Sequence, residues 1–196
     1  MRYVYIVRHG QTDSNKVFAC IGHKDVPLND EGHAQAESLA KRLEKLSFDK
    51  IYTSPLLRAR ETIAPFLAEH DIEMNICGGL IERDFGDWDD MNFKQISKKF
   101  PKLYKEWRDD PFEYEIPGGE SDKLLYERVG QTVHKILEDT SGDILIVTHL
   151  CVARHIISHL LELEPHSGKH FFLANTGIAK IGLHSDGSSV LEGLNI

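Results

Sequence analysis

Met1-Arg2-Tyr3-Val4-Tyr5-Ile6-Val7-Arg8-His9-Gly10-Gln11-Thr12 opens the 196-residue chain, and the reading of this stretch governs the rest. From Tyr3 to Val7 every residue is β-branched or aromatic, a run too short for a helix and suited to a buried strand. It stops at an arginine, a histidine and a glycine in immediate succession. Ligands of open α/β sheets sit at the carboxyl ends of strands. A cation, an imidazole able to act as a nucleophile and a residue without Cβ at that point suit an anion. The competing reading is a strand that merely runs out into solvent, and the tripeptide alone does not separate the two.

Working outward, Thr12 to Val26 shows no period and reads as a loop over the pocket, carrying Asn15, Gly22, His23 and Lys24. Pro27-Leu28-Asn29-Asp30 announces a helix capped by Asn29 or Asp30, with Ala34, Leu39, Leu43 and Leu46 as its buried stripe. Lys50–Thr53 is a second strand. Ser54-Pro55 then starts a helix, with Ser54 as cap and Pro55 at the first helical position, and Pro65 is expected to kink or split it. Ile72–Ile76 forms a third strand. Residues 83–119 lose regular patterning but are too rich in Phe, Tyr and Trp for disorder; they read as a helical cap with short helices near Phe93–Lys99 and Leu103–Arg108. Ser121 caps a long helix with Leu124, Leu125, Val129, Val133, Ile136 and Leu137 at helical spacing. Asp143–Val147 is the most apolar strand and ends in Thr148-His149. Val152–Leu163 is helical, and Ile178–His184 and Val190–Leu194 suit edge strands. Strands alternating with helices predict an α/β three-layer sandwich on a mostly parallel central sheet.

Composition bounds the function. The chain is 41% apolar and 28% charged, as in soluble globular proteins, and no apolar run approaches the ~20 residues of a membrane span. The first residues enter a strand rather than resembling a cleavable signal peptide. Cys20, Cys77 and Cys151 are odd in number and lack paired metal spacing, as expected of reduced thiols in a cytoplasmic protein. A net charge of −8 argues against nucleic-acid partners and requires an anion site to be a local positive pocket. With no repeat or linker, residues 1–196 are expected to form a single domain.

In a parallel sheet, Arg8-His9 and His149 end two strands at the same edge. Arg58 follows a third strand near a helix N-terminus that itself attracts anions, and Glu82 supplies an acid on the same rim. Such a group suits phosphoryl transfer through a histidine. His9 would carry the phosphoryl group covalently, while Arg8, Arg58 and a protonated His149 would bind its oxygens and stabilise developing charge. The nearby cations would keep His9 neutral. Glu82 would protonate the leaving alkoxide and then activate water.

Arg8-His9-Gly10-Gln11-Thr12 with Asn15, Ser54-Pro55-Leu56 with Arg58-Ala59 and Thr62, Glu82 before Phe85-Gly86-Asp87-Trp88, Pro117-Gly118-Gly119-Glu120-Ser121 and Val147-Thr148-His149 resemble the histidine phosphatase superfamily (phosphoglycerate mutase-like), in order and over nearly the whole chain. The resemblance implies that fold with a cap at roughly 83–119, a phosphohistidine at His9, phosphate contacts from Arg8, Asn15, Arg58 and His149, and Glu82 as proton donor. It further implies no metal and no cofactor, with a small-molecule phosphate ester as partner. Gly22 lies in a loop that matches the family only in part and is counted among the phosphate- or substrate-binding residues. Cofactor-dependent mutases of the family carry extra basic residues after the acid; here residues 83–119 are largely acidic, which favours the small phosphatase branch and hydrolysis of a monophosphate. Asp84-Phe85-Gly86-Asp87-Trp88 is also similar to the α-ribazole phosphatases. One departure stands out: the family has glycine after the second histidine, and here Leu150 could narrow the pocket or tilt the following helix.

The alternatives are a 2,3-bisphosphoglycerate-dependent phosphoglycerate mutase, a phosphate-binding regulatory module and, distantly, a zinc hydrolase. His155 and His159 stand four apart but lack the Glu of a metalloprotease helix, so packing is the expected role. Cys151 reads as an inert buried thiol, and Trp88 and Trp107 as packing for the cap.

Overall fold

The computed structural model describes residues 1–196. Six strands form one sheet: β1 (Arg2–Arg8), β2 (Lys50–Thr53), β3 (Met74–Ile76), β4 (Ile144–Thr148), β5 (Ile178–Leu183) and β6 (Ser189–Leu194). Their order is β3-β2-β4-β1-β5-β6. The four strands from β3 to β1 run parallel, and β5 and β6 add antiparallel pairings. β5 therefore lies inside the sheet and only β6 of this pair is an edge, because the apolar Ile178, Ala179 and Ile181 are buried between neighbours.

The helices are α1 (Asp13–Lys16), α2 (Asp30–Leu43), α3 (Leu57–Glu69), α4 (Phe93–Lys99), α5 (Pro101–Asp109), α6 (Asp122–Asp139) and α7 (Leu150–Leu160). Alternate side chains of each strand serve opposite faces. Val4, Ile6, Ile144 and Ile146 pack with Val129 and Val133 of α6 and with Val152 and Ile156 of α7. Tyr5, Val7, Leu145 and Val147 pack with Leu39 and Leu43 of α2 and with Ala59, Ile63 and Phe66 of α3. The three layers follow from strands that are apolar on both faces. Adjacent β1 and β4 send their following helices to opposite layers, so a crevice opens between their carboxyl ends. That is the switch point at which α/β sheets bind ligands.

Several expectations need correction. The stretch 12–26 is not all loop: α1 starts in a reciprocal cap in which Thr12 and Asn15 bond each other's backbone N–H, a signal without apolar periodicity. The buried face of α2 is Gly32, Ala36, Leu39 and Leu43, and Ala34 is exposed. α3 starts at Leu57 rather than Pro55: the Ser54 hydroxyl accepts from the Leu56 N–H (3.3 Å) and from His149 rather than capping a helical turn. Pro65 does not split α3. Burial of Ile63 and Phe66 on either side contributes about 1.5–3 kcal/mol each, enough to offset the ~3 kcal/mol a helical proline costs. Leu124 is exposed, at the rim of the buried stripe of α6.

Within residues 83–119, Trp88, Ile96 and Ile116 form a separate small core together with Cys20 from the loop after α1. Trp107 meets Trp88 edge-on at 5.8 Å between ring centroids, and Tyr114 stacks on it at 6.0 Å. The cap aromatics therefore pack mainly on one another.

Candidate active site

The carboxyl ends of β1 and β4 are in register, Arg8 pairing with Thr148, while Thr53 of β2 pairs with Val147. The next residues, His9 and His149, consequently emerge side by side with ring centroids 5.2 Å apart. Both are buried. The His9 N–H donates to the Thr148 carbonyl (2.9 Å), extending the ladder by one bond. Gly10 packs against the first turn of α2, where a Cβ would stand 2.8 Å from the Gly32 carbonyl, and its N–H donates to Thr62 Oγ1 (2.8 Å). The imidazole of His9 is oriented by its neighbour: Nδ1 lies 2.7 Å from the Gly10 carbonyl. A carbonyl only accepts, so Nδ1 carries the hydrogen and Nε2 keeps its lone pair.

Arg58, in the first turn of α3, is 2% exposed, and each of its three nitrogens donates at least one bond within the protein. Nε donates to His149 Nδ1 (3.2 Å), Nη1 to the Lys24 carbonyl (2.9 Å) and Nη2 to the Gly22 carbonyl (2.9 Å). Since His149 Nδ1 accepts, its Nε2 bears the hydrogen and donates to Ser54 Oγ (2.7 Å). Arg8 donates through Nη1 to the Leu173 carbonyl (3.0 Å). Glu82 follows a 3₁₀ turn at Gly78–Leu80. Its carboxylate accepts from the backbone N–H of Arg83 (2.9 Å) and of Cys151 in α7 (3.4 Å). Arg128 of α6 steadies this acid from behind, donating to the carbonyls of Gly79, Ile81 and Glu82 while paired with Glu120.

The electrostatics follow from burial among cations. His9 is held well below its ordinary pKa of 6.5, first by burial and then by Arg58 and Arg8. His149 is likewise lowered by burial and then by Arg58. Both imidazoles are neutral at neutral pH, so the protonated His149 expected from sequence is corrected: burial beside a guanidinium disfavours a second cation. Arg8 and Arg58 are themselves lowered by desolvation, with Glu82 opposing it as the largest favourable charge.

The structure thus brings together Arg8, His9, Arg58, Glu82 and His149, with Asn15 at the rim and half-buried. Gly22 is present through its backbone: its carbonyl holds Arg58 and its N–H donates to Asp89 Oδ1 (2.8 Å). A Cβ there would lie 2.5 Å from the Arg83 carbonyl, so only glycine permits this approach. His23 Nε2 is 2.9 Å from the Glu82 carbonyl, and Lys24 pairs with Asp90. Leu150, half-buried at the start of α7, packs against the core that α6 and α7 share with the sheet. His155 sits against Asp122 (3.2 Å) and His159 against the Tyr126 carbonyl (2.8 Å), and no three His, Cys, Asp or Glu side chains are grouped to hold a metal. Cys151 is half-buried, and desolvation, reinforced by the nearby Glu82 carboxylate, pushes its thiol pKa up.

Sequence reasoning missed three groups. Ser54 reads as a helix cap, yet its hydroxyl accepts from His149. Arg128 carries no local signal on a helix surface. Asn175, after the apolar Phe171–Ala174 and shortly before β5, donates to the His9 carbonyl (2.9 Å), and nothing in its neighbours marks it.

The profile of the histidine phosphatase superfamily (branch 1) matches residues 4–196. The chain is 31% identical over 172 residues to the adenosylcobalamin/alpha-ribazole phosphatase of Salmonella typhimurium, covering 86% of this chain and 84% of that protein. It is 36% identical over 179 residues to phosphoglycerate mutase-like protein 4 of Arabidopsis thaliana, with 89% and 76% covered. Its fold superimposes on the crystal structure of the alpha-ribazole phosphatase from Shigella flexneri with a TM-score of 0.92 at 27% identity, covering 99% of this chain and 96% of that one. No helix is long and apolar enough to cross a membrane. With the catalytic-type cluster at the switch point of a sheet of this topology, and a family match spanning almost its whole length, the chain belongs to the histidine phosphatase superfamily, branch 1, and is a phosphatase.

Proposed function

We propose that residues 1–196 act as one cytoplasmic domain that hydrolyses a small phosphomonoester without a metal ion, through a phosphohistidine at His9. The observation that carries this reading is the tautomer of His9: with Nδ1–H given to the Gly10 carbonyl, the neutral Nε2 is the free nucleophilic atom. Its lone pair forms the N–P bond as the ester P–O bond breaks, and the departing alkoxide takes the proton of the Glu82 carboxyl. Glu82 then removes a proton from water, whose oxygen attacks phosphorus. The P–N bond breaks, its electrons return to Nε2 and inorganic phosphate leaves.

Arg8 and Arg58 stabilise charge on the phosphoryl oxygens, with Asn15 as a further contact and His149 joining them as its Nε2–H turns from Ser54 Oγ to the phosphate. Gly22 serves this site by holding Arg58 in place rather than by presenting its own N–H. Residues 83–119 carry nine Asp and Glu against seven Lys and Arg, so the cap is net acidic, and its Trp88, Phe93, Tyr104, Trp107 and Tyr114 are occupied in packing. This favours a monophosphate over a bisphosphorylated cofactor. α-Ribazole phosphate is the first candidate, on the Asp84–Trp88 stretch and the relatives named above.

Phosphorus NMR in EDTA with α-ribazole phosphate, 3-phosphoglycerate and phosphoserine tests the reading, with His9→Ala as control. Inorganic phosphate released by the wild type alone is the expected result. Interconversion of phosphoglycerates without phosphate release would make the protein a mutase, and phosphate binding without turnover would make it a regulatory module.

A further inference from the structure

We infer that Asn175 is a positioning residue for phosphate recognition, one that fixes the side-chain amide of Asn15 so that its nitrogen is the group left to face an anion. The inference rests on the phosphate site proposed above, and its geometry comes from four hydrogen bonds. Asn175 Nδ2 donates to the His9 carbonyl (2.9 Å) and also to Asn15 Oδ1 (3.2 Å). Asn15 Oδ1 accepts a second bond from the Thr12 N–H (3.1 Å), and the Asn15 N–H donates to Thr12 Oγ1 (3.4 Å).

Neither amide can be turned over. The His9 carbonyl only accepts, so the group of Asn175 beside it is the nitrogen. The Thr12 N–H only donates, so the group of Asn15 beside it is the oxygen. The two hydrogens of Asn175 Nδ2 match the two acceptors in front of them. Both lone-pair directions of Asn15 Oδ1 are thereby used, and its Nδ2 has no protein partner. Without Asn175, Asn15 would be held by α1 alone, and α1 is a single turn of four residues.

The chain holds Asn175 in place through its backbone. Thr176 takes a left-handed conformation (φ 52°), unfavourable for a β-branched residue. Its N–H donates to the Arg8 carbonyl (2.9 Å) and its carbonyl accepts from Arg42 Nη2 (2.6 Å). On the other side, the Leu173 carbonyl accepts from Arg8 Nη1 (3.0 Å), and the Ala174 N–H donates to Asn195 Oδ1 (2.7 Å). With the Arg8 N–H donating to the Gly177 carbonyl (3.4 Å), the segment before β5 is bound to Arg8 at three points, and Asn175 joins it to His9 and Asn15. One residue links the strand end that bears the nucleophile to the helix that bears a phosphate contact.

A double-mutant cycle read by calorimetric binding of inorganic phosphate tests this. Asn15→Ala and Asn175→Ala are each expected to weaken phosphate by about 10- to 150-fold, the range for one hydrogen bond to an anion. The double variant is expected to bind no more weakly than Asn15→Ala alone. Losses that multiply, or an Asn175→Ala variant with wild-type phosphate affinity, would overturn the inference.

Should Asn175→Ala not fold, Asn175→Asp keeps the shape. Its charge repels phosphate equally in both backgrounds, so a larger loss with Asn15 present than with Ala at that position supports the inference and an equal loss refutes it. Because the readout is binding, a wild type that binds phosphate but hydrolyses no ester refutes the phosphatase reading and leaves the cycle decisive. A wild type that does not bind phosphate refutes the inference.

Discussion

Arg58→Lys isolates what the guanidinium contributes beyond its charge. Arg58 makes three directed bonds of 3.2, 2.9 and 2.9 Å to His149, Lys24 and Gly22 from a 2% exposed position. A lysine ammonium has one nitrogen and can keep about one of these bonds. Hydrogen bonds from charged donors contribute about 1.5–3 kcal/mol each, so two losses amount to about 3–6 kcal/mol before the loop at 21–24 relaxes. The same fork is needed on the transferring phosphoryl group, and removing one such donor typically costs about 10²–10³-fold in turnover. Hydrolysis of p-nitrophenyl phosphate in EDTA should therefore fall by about that factor in kcat/KM, with a lower unfolding midpoint. Activity within about threefold of wild type would show that charge suffices.

The paired variant Arg58→Gln removes the charge. Arg58 is, after burial, the largest cause holding His9 below its ordinary pKa. Without it the imidazolium form is less disfavoured, the pKa rises, and the acid limb of kcat/KM moves to higher pH. In Arg58→Lys that limb should stay where it is in the wild type. A limb that moves to lower pH in Arg58→Gln would refute the electrostatic account.

Glu82→Gln should slow hydrolysis of an alkyl phosphate by about 10²–10⁴-fold but slow p-nitrophenyl phosphate much less, since nitrophenolate leaves without a proton; equal losses on both substrates would argue for a structural role. Protein stability should fall as pH drops below about 6.5, the unfolded histidine value, because His9 and His149 stay neutral when folded while the unfolded chain takes up their protons. Each contributes a slope of about 1.4 kcal/mol per pH unit, so urea unfolding at pH 7 and 5.5 should show the loss, and His9→Gln should flatten it. Trp88→Ala, at the centre of the cap core and 1% exposed, should cost about 3–5 kcal/mol, seen as a lower thermal midpoint; an unchanged midpoint would mean that the cap does not fold with the sheet.

Much of this molecule is legible one residue at a time. The apolar runs at Tyr3–Val7 and Ile144–Val147 mark strands because β-branched and aromatic residues without charge suit a sheet buried on both faces. Their polar endings mark the ligand edge, because a parallel sheet places all those endings together. That logic places His9, Arg8, His149 and Arg58 without coordinates. Glu82 was legible only relative to them, since a lone carboxylate after a strand carries no signal. The helix boundaries were less readable wherever a polar side chain had two possible partners. Ser54 suits a helix cap by local rules, yet its hydroxyl is shared between the Leu56 N–H and His149 of the site.

The sequence by itself determined the layered α/β architecture and the inventory of groups at its ligand edge, because hydrophobic period and strand-end chemistry are local properties. Tertiary structure decided the protonation state of both histidines, since burial depth and the approach of Arg58 depend on residues far apart in the chain. It also decided the partners of Ser54, Gly22 and Arg128, and it brought Asn175 to Asn15 across 160 positions. Hydrogen-bond geometry and desolvation are fixed only when distant segments pack, and no window of sequence contains them.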